Sequence, residues 1–198
     1  MNFCILCNMI FNWNVIEFIA VIFSIIYVLL AAKKNIWCWL FAAFSVLIYI
    51  YLCFNAQLYM ETILQCFYLI MAFYGYYNWS KNSSNSYKRK IIELPINKHL
   101  QIIFLGAVVS FLMGYFLANY SDAKMALLDS FTTTFSIIAT FMVAKKILDN
   151  WLYWIAIDIS SIYLYNSRDL HLTAILFFIY TIIAIYGYKN WLQKLDYQ

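Results

Sequence analysis

Apolar residues fill this chain in seven long stretches rather than alternating with polar ones. Each stretch is about 20 residues long with few charged side chains, which suits an α-helix that crosses the hydrocarbon of a bilayer. The pattern therefore predicts an all-α integral membrane protein with seven transmembrane helices, at residues 13–32, 36–55, 58–78, 100–119, 124–144, 150–166 and 171–191.

Composition predicts the same class. Hydrophobic residues make up 66% of the chain and charged residues 11%, and the mean hydropathy is +0.75. A soluble domain has roughly 45–50% apolar and about 25% charged residues. The net charge of +4 comes from basic residues in the predicted loops, not from a basic stripe, so nucleic acid is not an expected partner.

One polar linker divides the chain, and the parts on either side of it resemble each other. The linker begins with SKNSSNSYKRK at Ser80 and ends near Pro95, the only proline. With a constant offset of 112 residues and no gaps, about a third of the aligned positions are identical, which indicates a duplication. We therefore predict one membrane domain, 1–198, with a first three-helix repeat at 13–79, a basic linker and connecting helix at 80–123, and a second repeat at 124–191. The matched pairs include Trp39 and Trp151, Gly75 and Gly187, and Trp79 and Trp191.

The single connecting helix determines the topology. Three helices plus one make an even number of crossings, so both repeats enter the membrane from the same side and are parallel. Alternating crossings then place every Lys and Arg except Lys124 and Arg168 on one side. By the positive-inside rule that side is the cytoplasm, which predicts an external N-terminus and a cytoplasmic C-terminus.

A carboxylate inside the sixth predicted helix is the strongest sign of a site. Trp151, Trp154, Asp158, Ser161 and Tyr165 share one helical face. An ionised Asp in hydrocarbon costs at least about 2.5 kcal/mol, so it normally faces a bundle interior or a wet cavity. Indole faces beside a carboxylate suit a flat, positively charged ring. In the alternative interpretation, the tryptophans belong to an interfacial belt and Asp158 bonds a neighbouring helix.

These residues carry a family resemblance. W-x-x-W-x-x-x-D at Trp151, Trp154 and Asp158 resembles the W-x-x-W-x-x-x-N/D pattern of the bacterial Pnu-type vitamin transporters. The third predicted helix, from Gln57-Leu58-Tyr59 to Gly75-Tyr76, resembles the family's third helix as well.

The resemblance covers nearly the whole chain. It implies a 3+1+3 arrangement akin to the SWEET transporters, a homotrimer in the bacterial inner membrane, and facilitated diffusion of nicotinamide riboside for NAD synthesis. A cytoplasmic kinase would trap the vitamin without having to touch the carrier. Nicotinamide riboside carriers often have Asn at the last motif position, so Asp158 keeps thiamine, which relatives carry, as an alternative substrate.

Further binding residues are predicted on the third and seventh helices. Glu61, Gln65 and Tyr68 share a face, and Gln65 is expected to contact the amide or ribose of the ligand. The alternative is a hydrogen bond between helices. The repeat mate of Gln65 is Phe177, so the pseudo-symmetry is broken as an asymmetric ligand requires. Tyr180, the mate of Tyr68, is predicted to line the path.

Two acidic residues at equivalent positions of the two repeats lie in the first turns of their predicted helices, on the predicted outer side. Glu17 and Asp129 could guard the entrance. The alternative is that they only favour the positive end of the helix dipole.

Other function classes fit the sequence less well. The chain contains only two histidines and no H-E-x-x-H motif, nucleophile–base pair or phosphate-binding glycine loop, so it is predicted to be neither an enzyme nor an ATP-driven pump. No cofactor and no metal are expected. A non-transporting assembly protein is the distant alternative, but it would not need the mid-helix Asp158 and Gln65. A passive carrier that opens alternately to each side by rocking of the two bundles is the preferred hypothesis.

Overall fold

The computed structural model of the protein describes residues 3–55, 59–80, 90–120, 125–167 and 171–196, and these residues form seven α-helices without a named strand. The all-α prediction is therefore confirmed, as is the number of helices. The helices are α1 (Phe3–Ala32), α2 (Cys38–Asn55), α3 (Tyr59–Ser80), α4 (Ile96–Tyr120), α5 (Ala126–Ala144), α6 (Asn150–Asn166) and α7 (His171–Asp196).

Most helix boundaries lie within a few residues of their predicted positions. The larger differences are at α1, which begins at Phe3 instead of residue 13, and at α7, which continues to Asp196 instead of residue 191. Residues 81–89 of the predicted linker, together with Lys124 and Arg168, lie outside the described residues.

Five helices of the described chain are long and apolar enough to cross a membrane: α1, α2, α4, α5 and α7. The other two are the helices that carry the polar residues of the predicted site. α6 has 17 residues with Asp158 near its centre, and α3 includes Glu61 and Gln65. That α3 and α6 also cross the membrane remains a prediction, although 17 residues is within the range that can do so.

The chain forms two compact units, Met1–Ser86 and Tyr87–Gln198. In the first unit, α2 packs against both α1 and α3. In the second, α4, α5, α6 and α7 follow one another, each packed against the next. The connecting helix α4 is therefore a structural part of the second unit.

The turn between the first two helices of each repeat has the same backbone. After α1, the Lys34 N–H donates to the Ala31 carbonyl and the Asn35 N–H to the Leu30 carbonyl, both at 2.9 Å. Lys34 has a φ of 62°, so this is a Schellman turn with a left-handed residue. After α5 the same two bonds recur 112 residues later, at 3.0 Å each, around Lys146 with a φ of 58°. This identity supports the duplication inferred from sequence.

Small residues allow α4 and α5 to pack closely. Gly106, Ser110 and Gly114 recur at intervals of four on α4, and all three are buried. A Cβ atom on Gly114 would lie 2.8 Å from the Cα of Leu127, so the backbones of the two helices meet there. Membrane helices that associate through small residues at this spacing approach each other in the same way.

The end of the linker is attached to the turn between α5 and α6. The Ile92 N–H donates to the Lys146 carbonyl at 3.2 Å, and the Ile92 carbonyl accepts from Leu148 at 2.9 Å. The Leu94 N–H donates to Asp149 Oδ2 at 2.9 Å. We call this segment, residues 91–95, the linker strap.

Candidate functional site

Asp158 is the charged side chain near the centre of α6, and it is only 2% exposed. Within the described part of the chain, no residue forms a hydrogen bond or an ion pair with its carboxylate. Removing an ionised carboxylate from water without a partner is strongly unfavourable. The position is therefore chemically suited to a hydrogen-bond donor or a cation.

The face of α6 predicted to hold the site is the face that the second unit buries. Trp151, Asp158 and Ser161 are buried, and Trp154 and Tyr165 are half-buried. Helical spacing predicts this arrangement, because residues three, four and seven apart lie on one side.

Two aromatic contacts between α6 and α7 lie on either side of Asp158 along the helix. At one end the Trp151 ring packs edge-to-face on Trp191, with centroids 5.6 Å apart and an interplanar angle of 86°. At the other end Tyr165 stacks on Phe177, at 5.2 Å and 12°. Each of the two α6 rings is seven residues from Asp158, or about 10 Å along the axis. Both contacts hold α6 against α7, and Asp158 lies midway between them.

The two tryptophans of the motif have different neighbours. Trp154 packs against the cluster formed by Phe135 and Ala139 of α5 and Ile157 of α6. Trp151 contacts α7 instead. A pair of indoles stacked over one ligand ring, as the motif suggests, is therefore not visible in the second unit by itself, and the ligand-stacking role of both residues remains a prediction.

The residues predicted on α3 lie in the first unit. Gln65 is half-buried, and its Nε2 donates to Oε1 of the exposed Glu61 at 3.3 Å, one turn earlier in the same helix. Tyr68 is half-buried, with its ring centroid 5.8 Å from that of Phe67. In the described residues the amide of Gln65 thus bonds within its own helix, not between helices.

Tyr180 of α7 lies in the second unit with the residues of α6. It is half-buried and packs edge-to-face on Phe177, at a centroid distance of 5.9 Å. Since Phe177 also stacks on Tyr165, these three rings form a continuous aromatic group at one end of the α6–α7 contact.

The two predicted entrance residues have different exposure. Glu17 is exposed on α1, and Asp129 is half-buried in the first turn of α5. The backbone carbonyl of Asp129 accepts a hydrogen bond from the Thr132 hydroxyl at 2.9 Å. Their proposed role at an entrance is not tested by these contacts.

One polar cluster near α6 was not predicted. His99 Nε2 lies 3.4 Å from Asp149 Oδ2, and His99 Nδ1 lies 3.0 Å from the Tyr153 hydroxyl. The rings of His99 and Tyr153 are stacked at 5.8 Å. The cluster joins the first turn of α4 to the first turn of α6, which carries the candidate site.

Comparison with known proteins identifies the family. A profile described as nicotinamide mononucleotide transporter matches residues 14–193, which is most of the chain. The chain belongs to this family. The predicted resemblance to Pnu-type transporters is thereby confirmed, as is the prediction that the protein is a membrane transporter and not an enzyme.

Several proteins that are similar to this chain have names that state a particular transported molecule. The nicotinamide riboside transporter PnuC of Escherichia coli (strain K12) is 25% identical over 204 residues, which cover 90% of this chain and 85% of that protein. The protein of the same name from Neisseria mucosa is 25% identical over 185 residues, covering 87% and 70%. The crystal structure of the vitamin B3 transporter PnuC has the same fold, with a TM-score of 0.73, 22% identity, and coverage of 92% of this chain and 82% of that chain.

Proposed function

We propose that this protein carries nicotinamide riboside across the cell membrane by facilitated diffusion and so supplies NAD synthesis. Family membership gives the class of protein, and the names of its relatives suggest the substrate. The observation that carries the proposal is the carboxylate of Asp158 on α6, which is buried and has no partner among the residues that the structure describes.

The chemistry of nicotinamide riboside matches this carboxylate. Its nicotinamide ring is a flat cation, and its amide and ribose supply hydrogen-bond donors. The cation would neutralise Asp158, and an aromatic side chain such as Trp154 could stack on the ring. Gln65, Glu61, Tyr68 and Tyr180 are proposed as further binding residues, as predicted from their positions in the sequence.

The carboxylate of Asp158 favours nicotinamide riboside over nicotinamide mononucleotide, which is the molecule that the family's description mentions. The mononucleotide carries a phosphate, and the buried carboxylate of Asp158 would repel this second negative group. In the described part of the chain, no Lys side chain lies within one helical turn of the middle of a helix, so none is placed there to receive a phosphate. We therefore propose the riboside, whose ribose carries no phosphate, as the ligand.

Thiamine is the second candidate substrate. It also has a flat cationic ring, and its aminopyrimidine donates hydrogen bonds. Asp158 favours it because a carboxylate stands at a position where nicotinamide riboside carriers often have Asn, as the family resemblance implies.

The proposed mechanism is alternating access without an energy source. A carrier with equal affinity on both sides can only equilibrate its ligand, so accumulation requires a trap. We propose that a cytoplasmic kinase phosphorylates the vitamin and prevents its return. Glu17 and Asp129 are proposed to attract the cation at the outer entrance, and we further propose an inner-membrane homotrimer with an external N-terminus and a cytoplasmic C-terminus.

Isothermal titration of the purified protein tests the substrate. Nicotinamide riboside, nicotinamide mononucleotide, thiamine and riboflavin would be titrated separately, and the riboside is expected to bind most tightly. Asp158→Ala removes both the charge and the hydrogen-bonding oxygens of the side chain, so it should weaken binding at least about tenfold. Ser161→Ala, a change on the same buried face, is the control and should bind nearly normally.

Uptake into proteoliposomes tests the transport step. The wild-type protein should equilibrate labelled nicotinamide riboside without an ion gradient. Normal transport by Asp158→Ala, or preferential binding of riboflavin by the wild type, would contradict the proposal.

A further inference from the structure

Each unit contains one edge-to-face tryptophan pair with the same geometry. In the first unit, the rings of Trp39 on α2 and Trp79 on α3 have centroids 5.5 Å apart and an interplanar angle of 89°. In the second, Trp151 on α6 and Trp191 on α7 are 5.6 Å apart at 86°. The two pairs are related by the repeat offset, so the same device is present twice.

A glycine lies under the first tryptophan of each pair. A Cβ on Gly75 would fall 2.3 Å from Cζ2 of Trp39, and a Cβ on Gly187 would fall 2.8 Å from Cε2 and Cζ2 of Trp151. Real Cβ atoms do not approach a ring atom this closely, so only glycine allows each indole to rest on the neighbouring helix. We call Trp39, Gly75 and Trp79 the first clasp, and Trp151, Gly187 and Trp191 the second clasp.

The clasps are held by ring packing. Trp39 and Trp151 are each 2% exposed, and in the described part of the chain neither indole N–H has a hydrogen-bond partner. An indole that is covered by the next helix offers little ring surface to a ligand. It does hold two helices together at a fixed distance.

The repeat distinguishes packing residues from ligand residues. Of the three motif positions, only Trp151 has an identical mate, Trp39. Trp154 corresponds to Ala42 and Asp158 to Val46. A ligand without two-fold symmetry makes different contacts with the two repeats, whereas a device that each bundle needs for its own packing is expected in both.

We propose that Trp39 and Trp151 are packing residues that lock the central helix of each repeat to the helix after it. The second clasp fixes α6 on α7 two helical turns from Asp158, and Trp151 itself does not touch the transported molecule. This inference rests on the proposed function, since it assigns Asp158 and not Trp151 to the ligand. It also assigns the same packing role to the first clasp, although the first unit has Val46 at the position equivalent to Asp158.

The first experiment compares Trp39→Phe with Trp151→Phe. Thermal unfolding and nicotinamide riboside affinity of the purified protein would be measured for both. The two variants are expected to unfold at similarly reduced temperatures and to bind the riboside with affinities within about threefold of each other. An affinity loss of tenfold or more that is confined to Trp151→Phe, at equal thermal stability, would overturn the proposal, and so would unchanged stability in both variants.

The second experiment uses steric rescue. Gly75→Ala and Gly187→Ala should each lower the unfolding temperature, because the new methyl group meets the indole. Phenylalanine lacks the Cζ2 atom, so Trp151→Phe should restore part of the stability lost in Gly187→Ala. Trp39→Phe, a change in the other clasp, should not restore it. Equal rescue from both clasps, or none from either, would contradict the proposal.

Failure of the substrate assignment would look different. If the wild-type protein did not bind nicotinamide riboside, the proposed function would fail, but the thermal comparison and the steric rescue would still decide whether the clasps exist.

Discussion

Replacing Gly114 with Val should loosen the attachment of α4 to α5. A Cβ at this position would lie 2.7 Å from Cδ2 and 2.8 Å from Cα of Leu127. Optimal carbon–carbon contact is about 3.5–4.0 Å, so the helices would have to separate by about 1 Å. The Cα belongs to the backbone of α5 and cannot rotate away, unlike the end of a side chain.

The size of this effect follows from two opposing terms. Overpacking a tight contact costs about 1–3 kcal/mol, and valine with its two methyl groups should lie near the upper end. Replacing glycine inside a helix returns about 0.5 kcal/mol through helix propensity. The net loss is about 2 kcal/mol, which corresponds to a fall of about 4–8 °C in unfolding temperature for a chain of this size.

Thermal unfolding of the detergent-purified protein measures this change, with two variants on the same helix for comparison. Gly106→Val should cost less, because its Cβ would meet the Phe135 ring at 2.8 Å and that side chain can move. Ala107→Val, at an exposed position, should change the temperature little. If Gly114→Val were as stable as Ala107→Val, the close approach of the two helices would be refuted.

Four further substitutions test other features of the chain. Asp149→Ala should free the Leu94 N–H and loosen the linker strap, which faster hydrogen exchange or proteolysis of residues 90–95 would reveal; unchanged protection would contradict the strap. Ser110→Ala and Ser130→Ala should leave thermal stability unchanged or slightly higher, because both hydroxyls are buried without a partner in the described residues; a loss above about 1 kcal/mol would show a missing bond. Asp129→Asn should raise the KM of uptake with little change in maximal rate, and this effect should fade at high salt if the residue attracts a cation at the entrance.

The helices could be predicted because bilayer-length apolar stretches leave the chain few alternatives. The alignment of Lys34 with Lys146 in the repeat indicated that the α1–α2 and α5–α6 turns are equivalent, but it did not give their left-handed backbone. The start of α1 at Phe3 was not predicted, because the polar residues among the first twelve interrupt the apolar pattern without breaking the helix.

The candidate site could be predicted less completely. Helical spacing places Trp151, Trp154 and Asp158 on one face, but it does not give the neighbour of each side chain, and the two indoles pack against different helices. The linker strap joins Ile92 to Ile147, and bonds between residues so distant in sequence have no local signal. Gly106, Ser110 and Gly114 did have a readable pattern, a small residue at every fourth position, which predicts close helix packing.

Within both units, the helices that pack together in the described residues are consecutive in the chain. During synthesis, each new helix of a unit can pack against the helix made just before it. Assembly can therefore proceed stepwise with a small entropic cost of loop closure. The linker strap and the contact of His99 with Tyr153 are exceptions, because in each case the partner is synthesised about 50 residues later. The linker strap can therefore form only after α4, α5 and the turn that follows them have been synthesised.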